Sequence, residues 1–262
     1  MKKYFLFIVI SFCFSACAVR EKAKFPTPSE MALGDNQKEE IFNKISKNKK
    51  EFSNVRFLTD VVVVENGVGY KFRYLFLYDK NGYLRVEAFP PDTFLSLHIL
   101  TQNKCGAVFL DRQQKIVLTS DSANDILKKL WKEEVDYKSL LESFVGNSDL
   151  SYENLKNYDF YILSSTNNST NKKEKLLQVI SKDKNEYIEF DLNNYKLLNY
   201  DLWDKGKELK MRLKKSDNMV FVIFPQANLY MNFNIIKQEY DATLDPKIYI
   251  IKIPSNYKKY EL

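Results

Sequence analysis

The sequence has a single histidine, His98, among 262 residues. A Ser-His or Cys-His catalytic arrangement would have to use it, and a metal site built from several histidines is excluded. His98 falls inside the apolar stretch Leu95 to Thr101, a setting that favours a hydrogen-bonded structural histidine. A phosphate-binding loop is missing as well. Gly67-Val68-Gly69 lacks the further glycine and the Lys-Ser/Thr that such a loop needs, and reads as a turn. Carboxylates are plentiful, 34 Asp+Glu, but they are scattered among 40 Lys+Arg, and spacing places no pair of them in a pocket. The chain is therefore expected to be no enzyme and to need no cofactor and no metal. Its charge is only mildly basic, +6 overall, with no segment that concentrates it, so nucleic acid is not an expected partner.

Cysteine is scarce too: Cys13, Cys17 and Cys105. One apolar run stands out, Tyr4 to Phe14, behind Met1-Lys2-Lys3 and ahead of Ser15-Ala16-Cys17. It is shorter than the roughly 20 residues of a spanning helix. A basic start, an apolar centre and small residues before a cysteine make the layout of a secretion signal over 1–16. Phe14-Ser15-Ala16-Cys17 resembles a lipobox, with Phe14 where leucine is usual. The resemblance implies cleavage before Cys17 and lipid on its sulfur; the alternative is ordinary secretion with a plain thiol. Each buried methylene is worth about 0.8 kcal/mol, and two or more acyl chains hold a protein stably on a bilayer. Ala18, where some lipoproteins carry Asp, favours by the same resemblance a place on the outer membrane, lipid-anchored on its periplasmic face. Cys13 then leaves with the signal, which leaves Cys105 without a disulfide partner, and a buried small hydrophobe is expected there.

Residues 17–35, with Pro26, Pro28 and Gly34, read as a lipidated flexible tether, and 36–262 as one domain. A helix is expected from Asn36 to about Phe52, with Ile41, Phe42 and Ile45 on one face. Tyr70, Phe72, Tyr74, Phe76 and Tyr78 alternate with other residues at the period of a strand, and Asp79-Lys80-Asn81-Gly82 supplies a hairpin turn. The chain returns through Tyr83 to Phe89, then Leu95 to Thr101, Ala107 to Asp111 and Ile116 to Thr119, an antiparallel meander. Two helices follow, opening at Ser122 and Asp136. The first is striped with Ala123, Ile126, Leu127, Leu130 and Trp131, the second with Tyr137, Leu140, Leu141, Phe144 and Val145, and Gly146 ends it. Further strands are expected at Tyr158–Ser164, Leu176–Ser181, Tyr187–Leu192, Tyr195–Trp203, Glu208–Leu213, Met219–Phe224, Leu229–Ile236 and Ile248–Ile253, with a polar loop at Asn167–Lys173.

This order of elements resembles the outer-membrane lipoprotein receptor LolB and its LolA-like relatives. The resemblance is carried by Phe72-Arg73-Tyr74, by Leu84-Arg85-Val86-Glu87-Ala88-Phe89-Pro90-Pro91 with Leu95-Ser96-Leu97, and by the helix pair Ala123–Gly146. Within that pair, Leu140 to Gly146 looks like the family's "LL.G" element. Leu244-Asp245-Pro246 and Ile253-Pro254 resemble its last strand. The resemblance implies an α+β fold, a curved antiparallel half-barrel sheet with helices covering its concave face and an apolar cavity for acyl chains. Phe72, Tyr74, Phe76, Val86, Leu97, Ile99, Ile126, Leu127, Leu130, Trp131, Leu140, Leu141 and Phe144 are the candidate cavity residues, although a closed core is the commoner place for each aromatic among them. It also implies a membrane-inserting loop, here Pro90-Pro91-Asp92-Thr93-Phe94-Leu95 with Phe94 at its tip; alternatively Phe94 starts the next strand and is buried. The expected role is to bind acyl chains or lipoproteins, received from a LolA-like periplasmic carrier, and to help deliver them to the outer membrane as a monomer. The competing expectation is a structural or interaction lipoprotein of the envelope with a filled core, and a measured void separates the two.

If Cys17 carries the lipid, Cys17→Ser leaves an unprocessed precursor with no acyl chain. Metabolic labelling with a fatty-acid analogue checks this, and label persisting on the variant would defeat the anchor.

Overall fold

The computed structural model describes residues 23–262 except Ser29, Glu133 and 168–171, so the expected signal, Cys17 and most of the polar loop 167–173 lie outside the described residues. Fourteen strands form one open, curved sheet. Strands β1 (Asn54–Glu65), β2 (Val68–Asp79), β3 (Tyr83–Phe89), β4 (His98–Asn103), β5 (Gly106–Asp111) and β6 (Ile116–Ser120) meander outward from β1 in one direction. Helices α2 (Ala123–Trp131) and α3 (Tyr137–Val145) then carry the chain back across to the far edge. There β7 (Tyr158–Asn167) begins a second meander through β8 (Lys172–Ser181), β9 (Glu186–Asp191), β10 (Leu197–Asp204), β11 (Glu208–Ser216) and β12 (Met219–Phe224). It closes with β13 (Leu229–Tyr240) pairing antiparallel to β1. The strand β14 (Lys258–Glu261) pairs with β6 in parallel, the one such pairing among the described residues.

Turn chemistry sets the hairpins and the helix ends. Asn66 and Gly67, both at positive φ, turn β1 into β2, so Val68 and Gly69 already belong to a strand. Ser122 Oγ accepts from Asn124 N at 3.2 Å and Asp136 Oδ2 from Ser139 N at 3.1 Å, the two expected helix starts. Gly146, at φ +99, takes the left-handed position that ends α3 and would strain any other residue. Helix α1 (Asp35–Asn48) stops short of Phe52, which is buried in the core beyond it.

All three helices pack on one face of the sheet. Ile41, Phe42 and Ile45 of α1, Ala123, Ile126 and Leu127 of α2, and Leu140, Leu141 and Phe144 of α3 share one core with inward residues of most strands. The convex face has two smaller coats. Phe25 sits edge-on to Trp203 at 5.3 Å, over Ile180, Tyr187 and Leu209. Ile251, Ile253 and Tyr257 cover Ile99, Leu110 and Val117.

Several expectations are corrected here. The described residues of 23–34 contain no helix or strand, yet they are not a free tether: Phe25 is packed as above and Leu33 N donates to Phe160 O at 2.8 Å. Ile248–Ile253 is no strand. Pro246–Tyr249 is a turn of 3-10 helix, and the following apolar residues strap the convex face. Strand β4 begins at His98, because Leu95–Leu97 is still loop. Cys105 is exposed in the β4–β5 turn, where the backbone must fold back and no core reaches it. The long strand β1 has no counterpart among the sequence expectations.

Alkaline stability has a definite sign. Lys215 Nζ donates to Phe144 O at the end of α3, at 2.7 Å, and burial brings its ammonium down from 10.5 to about 8. Between those values the unfolded chain holds the proton that the folded one has lost, so stability rises with pH. Tyr74, Tyr137 and Tyr249 act oppositely: burial raises each from 10.0 to about 12, and stability falls as pH climbs through that interval. Urea unfolding across this range should show the rise and then the fall. In Lys215→Met the rise should disappear.

Candidate functional site

The core is not closed. Beneath α2 and α3, the concave face leaves a cavity of about 440 Å³, partly open to solvent. Its floor takes alternate residues from consecutive strands, as the two-residue period requires: Tyr74 and Phe76 from β2, Leu84, Val86 and Ala88 from β3, and His98 and Leu100 from β4. Leu229, Met231 and Phe233 of β13 continue it across the sheet's centre. The roof is Leu127, Leu130 and Trp131 of α2 with Tyr137, Leu140, Leu141 and Phe144 of α3. Aromatic rings set the wall's shape. Phe144 lies 4.8 Å from Phe233 and 6.1 Å from Phe76, and Tyr74 stacks on Phe76 at 5.6 Å.

Nine of the sequence candidates line this space: Tyr74, Phe76, Val86, Leu127, Leu130, Trp131, Leu140, Leu141 and Phe144. Four do not. Phe72 is on the same face but beyond the wall, against Tyr74 and His98 at 6.1 and 6.3 Å. Ile126 is wholly buried in the core packing. Ile99 alternates with His98 and Leu100 and so points to the convex side, with Leu110 and Val117. Leu97 is in the loop, its backbone held by Ala88 O and Arg112 N. Leu84 and Ala88, on either side of Val86, and the row Leu229-Met231-Phe233 are wall residues that the sequence reading leaves out. Their strict alternation was the available signal.

The floor narrows where β3 leaves the sheet. Pairing of β2 with β3 stops at Arg73 and Phe89, while β2 and β1 run on together to Val68 and Glu65. Tyr70, opposite Val63, and Val68, opposite Glu65, therefore extend the concave face past the cavity, 47% and 52% exposed. The loop 90–97 crosses at this level. Its Phe94 is fully exposed and Leu95 61% exposed, so the burial of Phe94 in a strand is overturned. Leu130 of α2 is also exposed there, and Trp131 packs on Phe224 at 5.2 Å.

Polar groups in the wall are few. Glu65, His98, Asp111 and Gln114 are among the lining residues. His98 stacks on Phe109 at 5.9 Å, with its Nε2 3.8 Å from Asp111 Oδ2, an ion-pair distance rather than the hydrogen bond expected of a structural histidine. Asp111 Oδ1 accepts from Gln114 N at 2.8 Å. Among the described residues no serine, threonine, cysteine or lysine lines the cavity. Among the described residues no three of His, Cys, Asp and Glu gather where they could hold a metal ion, and no helix is long and apolar enough to cross a membrane.

Phe144 is the residue whose loss should show most. It is 1% exposed and touches Phe57, Phe76 and Phe233, so Phe144→Ala is expected to cost about 3–5 kcal/mol by enlarging the void. Chemical denaturation measures it.

No known protein-family model matches the chain, and no curated protein matches it. Solved structures do. A DUF1329 family protein from Desulfovibrio piger superposes with a TM-score of 0.50 at 11% identity, over 82% of this chain and 96% of that one. A LolA superfamily protein from Nitrosomonas europaea gives 0.49 at 9% identity, over 81% and 97%. A putative outer membrane lipoprotein-sorting protein domain from Vibrio parahaemolyticus gives 0.47 at 12%, over 80% and 94%. Proteins of the kind the sequence resembles are thus among the matches. At such identities the likeness is one of fold, and by fold this chain stands with the DUF1329 protein: an open, curved antiparallel sheet with helices on its concave side.

Proposed function

We propose that this chain is a lipoprotein, anchored through Cys17 to the periplasmic face of the outer membrane, that receives acyl chains or acylated proteins in its cavity and passes them to the bilayer. The cavity carries the reading. It is apolar, about 440 Å³ and partly open to solvent, within the roughly 300–1,000 Å³ of small-molecule sites. A space of this size left by chance in a core would cost stability without return. Leu130 lines the cavity and is 40% exposed, Val68 and Tyr70 extend the β2 row that forms part of its floor, and Phe94 and Leu95 are exposed in the loop between β3 and β4, as a surface that meets lipid would present them. Pro90 and Pro91 stiffen the approach to Phe94. The names of the matched lipoprotein-sorting and LolA superfamily proteins agree with this reading.

Added bulk distinguishes a site from a filled core. Overpacking a closed core costs about 1–3 kcal/mol. Val86→Trp and Leu127→Trp, one on the floor and one in the roof, should cost less than that and should abolish binding of a fluorescent acyl probe. Thermal midpoints and probe titrations read both. Strong destabilisation, together with no probe bound by the parent protein, would defeat the acyl-binding reading and leave an interaction role.

A further inference from the structure

The side chains that line the cavity include two carboxylates, Glu65 and Asp111, and neither a lysine nor an arginine. That is unusual for a chain with 40 Lys+Arg. The nearby cations are turned to other work: Arg112 Nη1 donates to Ser96 O at 3.2 Å, and Lys128 of α2 is paired with Glu134 outside the wall. Lys129 and Lys132, also near the end of α2, are exposed and are not lining residues. Apart from the carboxylates, His98 and Gln114, the side chains in the wall that can hydrogen-bond are Tyr137, Tyr74 and the indole N–H of Trp131. Tyr137 donates its hydroxyl to Gly82 O at 3.3 Å. Tyr74 hydrogen-bonds to no described residue, and burial raises its hydroxyl to about 12, so it stays an uncharged donor at neutral pH.

Seating an anionic head inside such a wall would set it against Asp111, which is 8% exposed and so poorly screened, with Glu65 at the exposed rim and no lysine or arginine in the lining to answer it. An ester or amide carbonyl meets no such penalty, and it can accept from the Tyr74 hydroxyl. We propose that the cavity selects acyl chains held in uncharged ester or amide linkage and turns away free fatty acids and other anionic amphiphiles. This rests on the cavity being an acyl site, and it names the chemistry of the cargo's head: that of chains attached to a carrier molecule rather than free acids.

The test uses three fluorescent alkyl probes of one chain length, ending in a carboxylate, a methyl ester or a trimethylammonium, titrated into the purified protein at neutral pH and low salt. The ester should bind at least about tenfold more tightly than the carboxylate, and the ammonium no worse than the ester. In Glu65→Gln/Asp111→Asn the gap between ester and carboxylate should shrink below about threefold, through tighter carboxylate binding. Tyr74→Phe should weaken the ester while sparing the ammonium. A carboxylate that binds the parent protein as well as the ester overturns the selectivity and leaves the acyl site standing. Failure of all three probes to bind overturns the acyl site itself.

Discussion

Two helices of nine residues have to cover the concave side of one wing of a fourteen-stranded sheet. A nine-residue helix is about 14 Å long, whereas six strands at roughly 4.8 Å spacing measure about 24 Å across. The mismatch cannot be closed by side chains alone. Where α2 ends at Trp131 and α3 lies over Phe57, Phe76 and Phe233, the packing is tight; between them the wall is lined but the space is not filled. Large rings hold the roof at a fixed height, because their edges meet at centroid distances of 4.8 to 6.4 Å and resist collapse. The void is thus a product of element lengths, and its apolar character follows from the stripes that make the helices amphipathic.

Much of this was legible in the residues because the two periods are so different. The alternation of Tyr70 to Tyr78, the turn at Asn81-Gly82, and the caps Ser122, Asp136 and Gly146 each fix an element by local chemistry, and the structure has them in place. β1 is another matter. Its Val61-Val62-Val63-Val64 run shows no polar alternation, since its centre borders strands on both sides and Val62 faces a convex surface that is itself partly apolar. The candidate site was legible to the same degree. Residues on helix stripes fell in or next to the wall, but on the strand after the proline loop a start set three residues too early put Leu97 on the floor, where His98 stands. Ile99, as apolar as its neighbours, could be assigned to the wrong side because both faces of β4 are buried, the second one by a C-terminal strap some 150 residues away in sequence. No local signal announces such a partner.

The convex face shows how the chain handles the rest of so large a sheet. The N-terminal stretch around Phe25 coats β8 to β11, and the strap of Ile251, Ile253 and Tyr257 coats β4 to β6. Between the two coats, around β12, β13 and β1, Phe221, Tyr230 and Val62 remain part-exposed among Asn232, Asn234 and Lys71. Cross-strand polar neighbours break that strip up, which is how an uncoated sheet surface avoids a continuous apolar patch. A buried Asp201 accepts from Arg212 Nε at 2.9 and 3.1 Å and from its Nη2 at 2.7 Å, pinning the outer side of β10 to β11.

The pairing of β1 with β13 has a consequence for how the molecule comes into being. These strands sit side by side at the middle of the sheet, yet Val55 meets Tyr240 only after the whole intervening chain has been threaded. Both meanders can assemble from near neighbours, and each then waits with a twelve-residue edge, Asn54–Glu65 or Leu229–Tyr240, that lacks its partner. Open edges of that length invite pairing with the wrong chain. Of the sheet's pairings the seam at the centre joins the residues farthest apart in sequence, so it closes the longest loop and carries the largest entropic cost.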